Sequence, residues 1–454
     1  MTALYEQAFQ RVLYPAYEAG LRGRRTLEHL ASYRHDQWLS ADELAGLQLD
    51  RLRRLLEHCE REVPYYREQW RKIGFSPRGM RDLEDFAQLP VLRKDDIRAN
   101  FSGLQAESMH GELLFKATGG STGDPLRFGY TRESNDRRSA VMWRGYGWAG
   151  ARMGRRTLYL WGGAVGDPTR SKQWKDRLYN AAFARKILDS FHMTEANLHE
   201  YVEAIDRYRP QVIVGYVGPL VRLARWIVDN KRTVWRPSAV IGGAEALHGF
   251  QREVIEEAFG CPAYNTYGCR EFMLVASECE EREGLHINAD HLVLELRSGE
   301  RATRLGCSGE VVVTDLFNYG FPFIRYANGD MATMSTRVCA CGRCLPMLDS
   351  VDGRVLDAII TANGHRLPGE FFPHMLKDVP GLLRFQLVQR ELERLDLSIV
   401  RGEGFDDASV TYIRREVAKV LGDSVTVDCR FVPDIPLTAS GKHRVTICEL
   451  DSLP

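Results

Sequence analysis

Between Thr118 and Gly123, three glycines (Gly119, Gly120, Gly123) and three hydroxyl residues (Thr118, Ser121, Thr122) occupy consecutive positions. Glycine lets the chain turn tightly and approach a ligand with no Cβ in the way. Successive N–H groups in such a turn form an anion-binding concavity, and the hydroxyls add donors. A triphosphate suits this chemistry. No Gly-Lys-Ser/Thr closes the run, so it is not a Walker loop, and it lacks the G-x-G-x-x-G spacing of a dinucleotide fold. A second grouping is rich in thiols. Five of the ten cysteines (Cys279, Cys307, Cys339, Cys341, Cys344) fall in one third of the chain, with His286 among them. Such clustering points to metal before disulfide. Cys279-x6-His286 and the Cys339–Cys344 group together have the composition of a closed structural zinc site, which takes four ligands. Spacing alone favours Cys341-x-x-Cys344 as the knuckle. His291 is expected to be a surface or strand histidine.

The chain has 454 residues, long enough for two or three domains. At 44% hydrophobic and 27% charged it reads as an ordinary globular protein. Lys plus Arg equals Asp plus Glu, at 61 each, so no overall field favours nucleic acid or an anionic membrane, and neither partner is expected. No apolar run approaches the ~18 residues of a membrane span. The start, Met1–Ala8, has no basic region followed by an apolar core. A cytoplasmic location is therefore the expectation, and a homodimer is left open.

Residues 1 to 100 read as helical, with Leu44, Leu47, Leu49, Leu52, Leu55 and Leu56 forming an apolar stripe. The phosphate loop should lie between two strands, the second being Leu126–Tyr130. From 132 to 260, short apolar runs (Thr157–Trp161, Pro210–Tyr216, Ser238–Glu245) alternate with helical stretches. That pattern predicts an α/β fold: a large domain of mixed or parallel sheets with helices on their faces. Ligands then bind at the C-terminal ends of the strands, where the loop Gly242–Glu245 falls. Beyond Gly353, the runs Ala358–Ile360, Phe385–Val388, Leu395–Val400 and Val425–Cys429, with a helix over Ala408–Leu421, predict a small C-terminal α+β domain.

Several stretches resemble the adenylate-forming superfamily of acyl-CoA synthetases, adenylation domains and luciferases. Thr118–Pro125 is similar to its Thr-Ser-Gly-Ser-Thr-Gly-x-Pro loop. Gly242-Gly-Ala-Glu245 resembles a segment that lies against adenine there, implying Gly243, Ala244 and Glu245 as nucleotide contacts. Asn265-Thr-Tyr-Gly-Cys-Arg-Glu271 is similar to Tyr-Gly-x-Thr-Glu. The match implies that Asn265, Thr266, Tyr267 and Gly268 contact the base and that Glu271 holds Mg²⁺, an ion that prefers carboxylate and phosphate oxygens. Arg270 departs from the pattern, standing where a threonine is usual. Thr314–Asp330 resembles, in its second half, Pro-x-Ile/Leu-Arg-Tyr-x-Thr-Gly-Asp, which implies that Asp330 accepts the ribose hydroxyls. Val351–Asp357 resembles the family hinge, with Gly353 absorbing rotation, Arg354 within reach of the ribose and Asp357 as pivot. Pro436–Lys442 resembles Pro-x-Thr-x-Ser-Gly-Lys, which implies Lys442 as the catalytic lysine.

Val63-Pro-Tyr-Tyr66 and Leu89–Ile97 look like the phenylacetate–CoA ligase and CapK branch. The Cys-x-Cys-Gly-Arg of that branch maps to Cys339 and Cys341, so the resemblance implies Cys279, His286, Cys339 and Cys341 as the zinc set, with Cys344 as the alternate. It also implies domains at 1–352 and 358–454 joined by a hinge at 353–357. The expected chemistry is ATP-dependent activation of a carboxylic acid, aromatic or hydrophobic, as an acyl-adenylate. Transfer follows to CoA or, alternatively, to an amine or hydroxyl. A nucleotide-binding module without activity is disfavoured by the presence of Lys442, Glu271 and Asp330. Arg127 is given no catalytic role. The expected cofactors are ATP, Mg²⁺, structural Zn²⁺ and CoA.

Overall fold

A capping box starts the longest helix among the described residues, Ala41–Glu62: the Ser40 hydroxyl accepts from the Glu43 N–H while the Glu43 carboxylate accepts from the Ser40 N–H. The leucine stripe then buries Leu44, Leu52, Leu55 and Leu56, with Leu49 partly buried. Pro64, at the first position of the next helix, Pro64–Ile73, turns the chain, and Gly74 stops it at φ 68°. The computed structural model describes residues 3–118, 126–162, 170–299, 301–354, 359–361, 366–367, 371–376, 379–422, 424–436 and 444–450. Through residue 100 these are helices and connections, as the sequence predicts.

Strands are numbered along the chain. β1 (Leu114–Ala117) and β2 (Arg127–Tyr130) form an antiparallel hairpin. β3 (Thr157–Trp161), β4 (Arg185–Asp189), β5 (Val212–Tyr216), β6 (Ala239–Gly243) and β7 (Ala263–Tyr267) are all parallel, in the spatial order β4-β3-β5-β6-β7. β8 (Ala276–Glu278), β9 (Leu285–Ile287), β10 (Leu292–Ser298), β11 (Arg301–Ala302), β12 (Ser308–Asp315), β13 (Tyr326–Met334) and β14 (Met347–Arg354) continue the same sheet antiparallel, in the order β8-β9-β14-β13-β12-β10-β11. The sheet is thus mixed, twelve strands wide among the described residues.

The parallel half packs helices Leu198–Tyr208, Val217–Asp229 and Gly249–Phe259 over Leu158, Ile213 and Val240. The antiparallel half packs the N-terminal helices over Val311, Val313, Phe321 and Phe323. Arg325 fixes that second layer. It is buried, pairs with Glu295 at 2.8 Å, and donates to the carbonyls of Ala87 and Leu89. Its own carbonyl accepts from Leu92 N–H at 2.9 Å, so the Leu89–Ile97 stretch is strapped to the edge of β13.

The C-terminal domain contains β15 (Ile359–Ile360), β16 (Arg366–Leu367), β17 (Leu382–Glu391), β18 (Arg394–Arg401), β19 (Thr426–Phe431) and β20 (Thr446–Cys448). The last four form one sheet, ordered β19-β18-β17-β20, covered by helix Asp407–Leu421 through Ile413, Val417 and Leu421. This is the small α+β unit the sequence predicts.

His291 corrects an expectation. It lies neither on the surface nor in a strand, but fully buried in the turn before β10. Its Nδ1 is 2.8 Å from the Tyr33 hydroxyl and its ring stacks on Phe317. Burial pushes its pKa down to about 4, so it is neutral inside the protein.

Candidate active site

The site is built where the parallel strands end and the β13–β14 hairpin returns beside them. Its first component is the neck of the glycine-rich loop. Thr118 N–H donates to the Leu126 carbonyl, and the Thr118 hydroxyl accepts from Leu126 N–H, each at 2.9 Å. These two bonds close the β1–β2 hairpin beneath the glycine-rich segment, whose Gly119, Gly120, Ser121, Thr122 and Gly123 lie outside the described residues. Arg127, at the start of β2, stacks its guanidinium on Phe115 at 4.6 Å and Phe101 at 5.2 Å, a packing role.

The second component is a pair of carboxylates on different elements. The register of β12 with β13 jumps between Glu310↔Met331 and Val312↔Ala327, so Asn328, Gly329 and Asp330 bulge out opposite Val311 alone. Bulges re-aim side chains beside active sites, and Gly329, at φ 88°, supplies the left-handed backbone the bulge needs. Asp330 Oδ2 accepts from the Tyr267 hydroxyl and from Asn328 Nδ2, each at 2.8 Å. Arg354 Nε lies 3.6 Å from Oδ1. Arg354 and Gly353 are the last residues of β14, paired to Asp330 and Met331, while Asp357 lies outside the described residues.

Glu271, 4% exposed, accepts from the Tyr326 hydroxyl at 3.1 Å. Burial first, and the Glu271 charge second, push the Tyr326 phenol far above its ordinary range. Among the described residues no cation pairs with Glu271, so it is a buried carboxylate short of positive charge. That is the environment in which a divalent cation offsets desolvation.

The third component is the turn at the ends of β6 and β7. Ala244 holds a left-handed φ of 66°, the kind of strain that clusters at binding sites. Gly243 lies below it, where a Cβ would meet Thr266 Oγ1 at 3.2 Å, and that hydroxyl donates to the Gly242 carbonyl at 2.7 Å. Glu245 turns its carboxylate onto the Gly218 N–H at 2.6 Å, at the start of helix Val217–Asp229. A Cβ at Gly268 would sit 1.9 Å from the Met273 carbonyl, so this tight turn requires glycine. Asn265 is buried, its N–H donating to Glu278 at 2.7 Å. Beyond these residues an aromatic wall forms at the strand ends. Trp161 lies 4.2 Å from Tyr216, and Phe191 stacks on Tyr216 at 6.2 Å.

The thiol cluster lies at the other end of the hairpin. The ligand atoms of Cys279, His286, Cys339 and Cys341 all fall within 4.8 Å of one another. Cys279 and Cys339 are 3.5 Å apart, and Cys341 Sγ is 3.3 Å from His286 Nε2. Zn–S and Zn–N distances of about 2.3 and 2.0 Å imply tetrahedral edges of roughly 3.3–3.8 Å. His286 Nδ1 lies 3.2 Å from the Leu345 carbonyl, which fixes the tautomer that offers Nε2 inward. Burial would raise the Cys341 thiol, but the N–H and guanidinium of Arg343 outweigh it and hold the thiol below its usual range. Cys344 and Cys307 are exposed and stand outside the cluster.

Relatives accord with this arrangement. The chain is 29% identical over 85% of its length to a phenylacetate–coenzyme A ligase of Thermus thermophilus, covering 86% of that protein. It is 24% identical to Protein CapK of Staphylococcus aureus over 89% of each. Residues 359–449 match the CapK C-terminal domain. The chain is thus similar, over most of its length, to phenylacetate–CoA ligases and to CapK. A crystal structure of 2-hydroxyisobutyryl-CoA ligase with an acyl-adenylate, 21% identical, shares the fold over 92% of both chains with a TM-score of 0.74.

The structure adds residues that the sequence reading left without a role. Tyr326 orients Glu271, and Asn328 bridges Tyr267 and Asp330. Both lie inside the matched Thr314–Asp330 segment, where a polar residue two positions before an aspartate in a strand was the available signal. Lys442 lies outside the described residues.

Proposed function

We propose that this protein is an ATP-dependent ligase that activates a carboxylic acid as an acyl-adenylate and passes the acyl group to CoA. In the first step a carboxylate oxygen bonds to the α-phosphorus, the bond from that phosphorus to the β-phosphate oxygen breaks, and pyrophosphate leaves. In the second the CoA thiolate attacks the acyl carbon and AMP departs. The phosphate loop at 118–123 takes the β- and γ-phosphates. Asp330, with Arg354 beside it, accepts the ribose hydroxyls, and the loops Gly243–Glu245 and Asn265–Gly268 hold adenine. Glu271 would hold Mg²⁺, which neutralises phosphate charge when bound. Lys442 bridges the attacking carboxylate and the α-phosphate, stabilising charge that appears in the transition state. Residues 358–454 act as a mobile domain about a hinge at 353–357.

The observation that carries this reading is the meeting of Asp330, Tyr267, Arg354 and Glu271 beside the loop neck, at the C-terminal ends of the parallel strands. The aromatic wall of Trp161, Phe191 and Tyr216 favours an aryl or similarly hydrophobic acid. CoA as acceptor rests on the relatives that bear phenylacetate–CoA ligase names. The match of residues 359–449 to the CapK domain keeps an amine or hydroxyl as the second reading. Pyrophosphate release measured over a panel of acids, with CoA against amines and alcohols as acceptor, tests both. Release with no acid of the panel would overturn the ligase reading.

The cluster of Cys279, His286, Cys339 and Cys341 holds one structural zinc. Met347 of β14 pairs with His286, whereas Arg354 of β14 pairs with Asp330. Seven strand residues separate the metal end of the hairpin from the nucleotide end by roughly 20 Å. Zinc there would staple, with no part in the acyl transfer.

A further inference from the structure

The two ends of the large sheet are finished differently. β11 closes one end with two residues, too short a strand to template another chain. β4 closes the other with five, Arg185-Lys-Ile-Leu-Asp189, without proline or bulge. Thr157 N–H donates to the Ala184 carbonyl at 3.0 Å, and β4 runs parallel to β3 in unbroken register. In that ladder Lys186 and Leu188 turn their backbone groups to β3, whereas Arg185, Ile187 and Asp189 turn theirs outward. The Asp189 carbonyl accepts from the Tyr201 hydroxyl at 2.6 Å. Among the described residues the outward backbone groups of Arg185 and Ile187 have no partner.

The side chains along this edge are unfinished too. Arg185 lies over the Tyr159 ring at 4.7 Å, but its Nε is buried without an acceptor, and no carboxylate pairs with it among the described residues. Ile187 is exposed on the same face. Helix Arg170–Ala182 reaches that face through Tyr179, whose ring is 6.0 Å from the Arg185 guanidinium. The helix leaves Trp174 and Leu178 exposed, one turn apart. Asp189 accepts from Phe191 N–H and lies 2.9 Å from His192 Nδ1, with its side chain still partly exposed.

The order of these residues is its own complement. A two-fold axis through Ile187, normal to the sheet, sets β4 antiparallel to a copy of itself. Ile187 then faces the copy's Ile187, Arg185 faces Asp189 and Lys186 faces Leu188, so no like charges are opposed. Arg185, Ile187 and Asp189 become the hydrogen-bonded positions, and these are the residues whose backbone groups point outward. The axis keeps the same face uppermost in both copies, so Trp174 and Leu178 of the two helices flank the paired isoleucines.

We propose that the protein forms a two-fold dimer in which β4 pairs with β4 of a second copy, joining the two sheets into one. Another strand laid on this edge would leave Arg185 without its carboxylate, so the residue order selects a copy of this chain. A two-fold pairing also closes on itself and leaves no free edge at that end. It needs no ligand and does not depend on the ligase reading.

The test is sedimentation velocity of the full-length protein over roughly a hundredfold range of micromolar concentrations. The wild type should sediment at twice the mass of one chain. Arg185→Asp sets two carboxylates against each other, and Asp189→Arg sets two guanidinium groups. Each should weaken self-association by roughly a hundredfold or more. A mixture of the two variants should recover a dimer, because each then meets the opposite charge in the other. Positions 185 and 189 are about 13 Å apart along one extended strand, so that recovery cannot arise within a single chain. A monomeric wild type would overturn the proposal. So would a dimer that survives both charge variants, or variants whose mixture stays monomeric. If the charge variants melt early, Ile187→Lys, which sets two ammonium groups on the axis, carries the comparison: dissociation supports the pairing and an unchanged dimer refutes it.

Discussion

Asp330 shows how one carboxylate is prepared by its neighbours. Tyr267 and Asn328 both donate to Oδ2, which leaves Oδ1, facing Arg354, as the oxygen turned to a ligand. A carboxylate accepting hydroxyls forms charge-assisted bonds worth roughly 1.5–3 kcal/mol each. Asp330→Ala should therefore raise the KM for ATP by at least an order of magnitude, measured as pyrophosphate release against ATP concentration; an unchanged KM would remove the ribose role. The position of this aspartate was legible from the order of motifs, but its geometry was not. The bulge that turns it out of the sheet arises from pairing with β12, which no local pattern encodes. His291 was misread for the same reason, because its burial is decided by Tyr33 and Phe317, both remote in sequence. Its neutral state has a consequence for stability. The folded pKa is depressed from 6.5 to about 4, so the unfolded chain binds the proton more readily in that window. Stability should fall as pH drops from about 6.5 and level off below about 4. His291→Gln should flatten that slope in thermal melts, and parallel slopes for the two proteins would refute it.

At the scale of elements, β3, β5 and β6 were readable because each is a short, mostly apolar run followed by a helical stretch, whereas β4 (Arg185–Asp189) and β7 (Ala263–Tyr267), with charged or polar residues among their five, were not singled out as strands. The antiparallel half was less so, since β8 and β9 are three residues each. The thiol cluster is what such short strands need. Cys279 follows β8, His286 lies on β9, and Cys339 and Cys341 lie between β13 and β14. Spacing alone favoured Cys344, but Cys344 is exposed while the backbone carries Cys339 inward. Arg343 extends the tie. It pairs with Glu280 at 3.0 Å, donates to Gln37 at 3.2 Å, and stacks on Trp38 and Trp148. One metal would thus join the sheet, the N-terminal helices and the helix Arg132–Trp148. Metal analysis of protein prepared without chelators should find about one zinc per chain. Cys279→Ser should lower Tm by several degrees while the soluble fraction keeps its affinity for ATP. Loss of turnover at unchanged Tm would instead make the metal catalytic.

At the scale of the whole molecule, the proposed ligase must serve two reactions with one site. The catalytic lysine implied by resemblance, Lys442, belongs to the small domain, whereas Asp330 and Glu271 belong to the large one. The strand β14 leads towards the small domain and ends at Arg354, beside Asp330. A rotation begun just beyond that point would exchange the face of the small domain over the site without disturbing the nucleotide contacts. Lys442 is then needed only while the carboxylate attacks phosphorus. Lys442→Ala should abolish pyrophosphate release from acid and ATP, with a loss on the order of 10² to 10³ in rate. The same variant should still transfer a supplied acyl-adenylate to the acceptor at near wild-type rate, because another face of the small domain then closes the site. Asp357→Pro, which fixes one backbone torsion at the expected pivot, should spare one half-reaction and impair the other. Both half-reactions are measured in both variants, with thermal melts to establish folding. If Lys442→Ala loses both steps equally while folded, the rotation is not part of this mechanism. Lys442 must then act as a contact common to the two states, and the hinge assigned to 353–357 would lose its purpose.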